Sequence, residues 1–232
     1  MIEINRKDMP MFIAPTETRK PGRPLKSLNG DEKNQSRKAL LQAARELFAK
    51  SPYAKVSTRK IAERAGVNPA LIRYYFINKD GLYQQMLIGM AEELQRHILS
   101  SDWSKVSSPI EPIVRSYAAM FAKEPGIAKL IFRELLLNDE GSRSKVIDLV
   151  IRPDKEFVLK FMQTPHFKPL KLGVNPVFLV FHIMGSTVLP YLMKESIEEV
   201  EGEPLTHDHF EQMIQQSIQF IETAFIDQEK SE

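Results

Sequence analysis

Arg73 and Tyr74 follow the small residues Pro69 and Ala70, with Tyr75 and Lys79 just beyond them. A guanidinium forms two parallel hydrogen bonds to the O6/N7 edge of guanine, and ammonium groups bond phosphate oxygens. Small residues at the start of such a segment let its backbone approach a base pair closely. Thr58 and Arg59, one segment earlier, are free to face solvent or phosphate. The alternative chemistries find little support. There is no Gly-rich phosphate loop, no Gly-x-Ser-x-Gly elbow and no His-Glu-x-x-His pair. His207 and His209 are two residues apart, so on a helix they point about 160° away from each other and cannot chelate one metal from one face. They are read as solvated residues near a helix start, and His97 and His182 as satisfied core histidines in apolar helices. The chain has no cysteine, hence no disulfide framework and no thiolate ligand or nucleophile. No catalytic residue, cofactor or metal is expected.

The elements that must position these side chains are two short helical patterns flanking Ala65-Gly66-Val67. Ser57 caps the first by accepting from a backbone N–H one turn on. Ile61, Ala62 and Ala65 form its buried stripe, and Gly66 stops it in the left-handed conformation that glycine adopts cheaply. Asn68-Pro69 restarts the chain as a second helix, since Asn caps well and Pro tolerates the first helical position. Leu71 or Ile72 and Phe76 pin that helix down, leaving Pro69, Ala70, Arg73 and Tyr74 outward. This is the layout of a helix-turn-helix, whose second helix lies in the DNA major groove. Ala39, Leu40, Ala43, Ala44, Leu47 and Phe48 predict a preceding amphipathic helix ended by Pro52. Leu82, Met86, Met90, Leu94 and Ile98 predict a long following one, with Lys79 near its positive end and well placed for phosphate.

The elements Ile61-Ala62-Glu63-Arg64-Ala65-Gly66-Val67, Tyr74-Tyr75-Phe76 and Asn78-Lys79-Asp80-Gly81-Leu82 closely resemble the DNA-binding domain of the tetracycline-repressor (TetR) family over roughly residues 33 to 90. Two positions depart from it: Arg73 stands where the family more often has an aromatic residue, and Lys60 where an acid or Gln would complete a capping box. The resemblance implies that Thr58, Arg59, Tyr75 and Lys79 touch the DNA backbone. It also implies a helical second domain with a ligand pocket whose occupancy changes the separation of two DNA heads.

Residues 1–80 contain 17 Lys and Arg against 8 Asp and Glu, a net +9, on a chain whose total is only +2. A basic head on an acidic body is the electrostatic footprint of a nucleic-acid-binding module joined to something else. Residues 1–30 read as a flexible basic arm. Within it Arg23, in Arg19-Lys20-Pro21-Gly22-Arg23-Pro24, resembles the core of an AT-hook, whose extended Arg enters a narrow minor groove; a solvated basic tail is the bland reading. The N-terminus lacks the uninterrupted apolar core of a signal peptide, and with no cysteine this suits a reducing cytoplasm.

Beyond residue 100 the pattern is helical with no strongly alternating strand. Ser142 to about Met162 is expected to kink or restart at Pro153, and Thr164 to Pro176 to form a loop. The segment 177–193 is apolar almost all round. Interrupted by His182, Gly185, Ser186, Thr187 and Pro190, it is read as a buried helix rather than a membrane span, with one face on its own core and the other on a partner subunit. With the last helix, around Phe210 to Phe225, it forms a four-helix dimer interface. The expectation is an all-α homodimer with an arm (1–30), a helix-turn-helix domain (31–79) and a helical effector-binding and dimerisation domain (80–232). It binds a palindromic operator in double-stranded DNA as a repressor released by an apolar or aromatic small molecule. Tyr117, Phe121, Phe157 and Phe161 are the candidate pocket residues, with His182 as polar handle. Two alternatives stay open: a regulator or DNA organiser controlled by a protein partner or by no effector, and a small-molecule-binding protein whose basic head contacts anionic lipid.

Overall fold

Local capping sets the helix boundaries in the first part of the chain. The computed structural model describes residues 30–101, 108–137, 140–164 and 167–227. The arm, with Arg23, lies outside the described residues. Helix α1 spans Gly30–Lys50, and a single 3-10 turn follows at Tyr53–Lys55. Helix α2, Thr58–Ala65, opens with Ser57 Oγ accepting from Lys60 N at 3.2 Å and closes on Gly66 at φ 66°. Helix α3, Ala70–Phe76, begins where Asn68 Oδ1 accepts from Ala70 N at 2.9 Å. Helix α4, Lys79–Ser100, begins where Asn78 Oδ1 accepts from Gly81 N at 2.8 Å.

The remaining helices are α5 (Glu111–Lys123), α6 (Pro125–Leu137), α7 (Glu140–Val146), α8 (Arg152–Phe161), α9 (Pro176–Leu192), α10 (Lys194–Glu201) and α11 (His207–Phe225). The break expected at Pro153 is a π-turn, Ile147–Ile151, joining α7 to α8. Pro153 has no N–H to donate back and its ring crowds the preceding carbonyls, so the wider turn relieves both problems. The described stretch 167–175 is largely irregular, with one isolated antiparallel bridge between Leu170 and Ile226. Among the described residues no single helix is long and apolar enough to cross a membrane.

The described residues fold as two compact units. One runs through Glu92 and takes in Lys129–Arg152; the other holds Glu93–Ala128 and continues from Pro153. In the first, α1 packs on α2 and α3 through Leu40, Ala44 and Phe48 against Ile61, Ala62 and Phe76, all buried. Arg133 donates to the carbonyls of Phe48 (2.5 Å) and Ala49 (3.3 Å), satisfying orphan acceptors at the end of α1. In the second, α5, α9 and α11 pack on one another through buried Ile113, Tyr117, Phe121, Leu179, Ile183 and Ile221.

Candidate nucleic-acid interface

The helix-turn-helix presents one outward face. Leu71, Ile72 and Phe76 are buried beneath α3, while Pro69, Ala70 and Arg73 are exposed and Tyr74 is half-exposed. The Arg73 side chain makes no hydrogen bond or ion pair within the described residues, so its five N–H groups are available to a partner. At the start of α2, Arg59 and Lys60 are exposed and Thr58 is half-exposed. Arg64, at the end of α2, is held by Glu46 at 2.5 Å.

Two of the expected phosphate contacts are differently placed. The Lys79 ammonium donates to the Tyr53 carbonyl at 2.5 Å and sits 4.0 Å from the Tyr53 ring centroid. Burial draws its pKa below the usual lysine value. Tyr75 is half-buried with its ring edge against Tyr74 and Phe76 (centroids 4.9 and 6.1 Å), and its hydroxyl is buried without a hydrogen-bond partner; burial raises its pKa.

Only two residues, Ile77 and Asn78, join α3 to α4. Asn78 N donates to Phe76 O at 2.8 Å, closing a three-residue γ-turn around Ile77, whose φ is 72° and ψ −49°. Positive φ is a rare, strained state for a β-branched residue. Asp80, at the start of α4, is bridged by Lys145 and accepts from Gln84 at 2.6 Å. Those bonds hold its carboxyl below the usual range against the opposing effect of burial. The recognition helix is thus delivered through a short, strained, internally bonded corner.

In the other unit, Tyr117, Phe121, Phe157 and Phe161 are all buried, at most 2% exposed. Tyr117 donates its hydroxyl to Asp154, which is itself buried and whose other carboxyl oxygen has no partner. Burial pushes the Asp154 pKa up to about 7. No sequence pattern singled out Asp154: an acid after a proline in a helical run reads as solvated. His182 and His97 are exposed, correcting their reading as core histidines. Periodicity could not have decided His182, because α9 is apolar on every side; its ring rests 4.9 Å from that of Phe225. His209 has a role that sequence reasoning missed. Its Nδ1 accepts from Thr206 N at 3.2 Å while Thr206 Oγ1 accepts from His209 N, a reciprocal cap opening α11. Among the described residues no His, Asp and Glu cluster could hold a metal.

A cavity of about 450 Å³ lies between α5, the end of α9 and the start of α11. None of the five sequence-predicted pocket residues lines it; Ala118, Ala122, Tyr191, Phe210 and Ile214 do.

Residues 40–86 match the family model described as "Bacterial regulatory proteins, tetR family". Nucleoid occlusion factor SlmA of Marinomonas sp. (strain MWYL1) is 26% identical over 149 residues, 63% of this chain and 74% of that protein. Among solved structures, the transcriptional regulator FadR from Bacillus subtilis, in complex with stearoyl-CoA, aligns with TM-score 0.59 at 16% identity, over 79% of this chain and 96% of that one. The flavonoid-responsive regulator FrrA aligns with TM-score 0.55 at 19% identity, over 84% and 99%. The fold is the one these regulators share, an N-terminal helix-turn-helix followed by a helical domain.

Proposed function

We propose that this chain, whose residues 40–86 belong to the tetR family of bacterial regulatory proteins, is a dimeric cytoplasmic repressor that a small molecule releases from its operator. DNA-binding transcriptional regulation is the function of the family. The observation that carries the reading is the outward face of α3: Pro69, Ala70 and Arg73 are exposed above a helix anchored by Leu71, Ile72 and Phe76. Small residues followed by an uncommitted guanidinium suit close approach to a guanine edge.

Dimerisation is supported by a second feature. Phe178, Phe181 and Leu189 on α9 are 62%, 53% and 48% exposed, and Phe220 on α11 is 59% exposed. Large apolar side chains left exposed on two helices that pack on each other favour an interface. A two-fold pair of heads reads two half-sites. For the effector, the stearoyl chain of the acyl-CoA held by FadR and the flavonoid response named for FrrA favour a molecule with a large apolar or aromatic part.

The test is selection of operator fragments from a random DNA pool, followed by footprinting. A symmetric protected site of two half-sites supports the reading, and uniform coating of DNA without sequence preference overturns it. The likeness to SlmA favours a second reading, a sequence-specific DNA organiser acting through a protein partner. Under that reading no small molecule releases the selected fragments.

A further inference from the structure

We infer that the cavity between α5, α9 and α11 is the binding site for the effector, and that it takes a neutral, planar, largely apolar molecule. The inference rests on the regulator reading for its biological role, but the site is argued from its own geometry. Its volume of about 450 Å³ falls in the range of small-molecule pockets. The candidates expected from sequence, Tyr117, Phe121, Phe157 and Phe161, are buried and do not line it.

The shape follows from residue size. On α5 the cavity wall is Ala118 and Ala119 with Ala122 one turn beyond them, and their methyl groups leave open a space that larger side chains would fill. Across from them stand Phe210 and Ile214 of α11. Phe210 stacks on Tyr191 with centroids 4.7 Å apart and planes 14° from parallel, and the Phe121 ring backs Tyr191 at 6.3 Å. The lining therefore combines a stacked aromatic pair with small alanines, which suits a planar ring system.

Both cations at the cavity are already paired, Arg115 with two carboxylates and Lys194 with one. Arg115 contacts Glu111 and Glu211, each at 2.8 Å, and Lys194 lies 3.6 Å from Glu198. The Arg115 neighbourhood lowers the Glu211 pKa, so that carboxylate stays ionised and keeps its partner. A charged ligand would have to break one of these pairs or sit beside a like charge. A neutral one needs only a single hydrogen bond at the edge of the Arg115–Glu211 pair.

The experiment titrates full-length protein with the neutral fluorophore 1-aminoanthracene and, separately, with anthracene-9-carboxylate. Ala122 and Ala119 are exposed on the cavity wall, so Ala122→Trp and Ala119→Trp fill the space without entering the core. Each should weaken 1-aminoanthracene binding by about tenfold or more with an unchanged melting temperature. Two variants are used so that one poorly folded protein does not decide the matter. Wild-type affinity in both folded variants, or no saturable binding to the wild type, overturns the site. Equal or tighter binding of the carboxylate overturns the neutral class. Operator binding is measured alongside on the same proteins. Failure of wild-type operator binding with saturable probe binding refutes the regulator reading and leaves the site standing.

Discussion

Gly81 and Gly89 lie on the same helix, α4, yet replacing each by alanine should change stability in opposite directions. Alanine in a helix is ordinarily favoured over glycine by about 1 kcal/mol, through helix propensity and a less mobile unfolded chain. A Cβ added at Gly89 meets nothing within 4 Å, so that gain should appear in full. A Cβ at Gly81 would lie 2.1 Å from the Phe76 carbonyl oxygen and 3.2 Å from its carbon. The obstacle is backbone, and the peptide must move by about 1 Å to restore ordinary contact. The same carbonyl accepts the 2.8 Å bond from Asn78 N that closes the corner around Ile77. Overpacking costs about 1–3 kcal/mol and a weakened hydrogen bond about 1 more. Set against alanine's advantage, the net loss is about 2 kcal/mol. For a chain of this size each kcal/mol moves Tm by roughly 2–4 °C. Gly81→Ala should therefore melt roughly 4–8 °C below wild type and Gly89→Ala roughly 2–4 °C above it, by calorimetry or far-UV circular dichroism. Gly81→Ala should also lose operator affinity, because the displaced peptide is the last one of the recognition helix. An equal upward shift of Tm in both variants would show that the corner has room for a methyl group and refute the reasoning.

Ile77→Gly should stabilise the protein by about 1 kcal/mol. Relief of a positive φ is worth about 1–3 kcal/mol, against about 0.5–1 for glycine's extra chain entropy, and Ile77 is already 61% exposed; an unchanged or lower urea midpoint would contradict this. Arg73→Ala should relax preference at one position in each half-site by about 1–3 kcal/mol, read by binding-site selection, whereas loss spread evenly over all positions would make Arg73 a phosphate contact. Lys79→Met should reduce the salt slope of operator binding by about 0.9 if the ammonium leaves the Tyr53 carbonyl for phosphate, and an unchanged slope would leave it a purely structural contact. Asp154→Asn should alter the pH dependence of stability. Because the folded pKa is raised from 3.8 to about 7, the stabilising contribution of the protonated acid is complete below pH 3.8, is lost as pH rises to about 7, and leaves a penalty of at most ~4 kcal/mol above it. The variant should gain on wild type steadily across that window in urea titrations; parallel curves would show that Asp154 does not titrate there.

The helix-turn-helix was legible because its signals act within one turn of chain. Ser57 and Asn68 bond the backbone two or three residues on, Gly66 takes the left-handed conformation, and the stripe Ile61, Ala62, Leu71, Ile72, Phe76 closes the core. The long helix was equally plain, since Leu82, Met86, Met90, Leu94 and Ile98 are all buried. What stayed hidden depends on partners far away in sequence. Arg133 caps α1 from more than 80 residues downstream, and the Lys79 ammonium binds a carbonyl 26 residues upstream. Tyr117 meets a buried Asp154 that no sequence pattern singled out. The side of α9 that faces outward, and with it the exposure of His182, was undecidable in a helix apolar all round. The cavity is the clearest case. Its alanines read as ordinary helix formers, and only the packing of α5 against α9 and α11 determines whether the space above a methyl group is filled by a neighbour or left open. By itself the sequence determined where α2 and α3 begin and end and which face α3 turns outward, because backbone capping and side-chain periodicity are local. The tertiary structure decided which buried groups meet and where space remains, because those depend on how helix axes pack, and no stretch of chain encodes that alone.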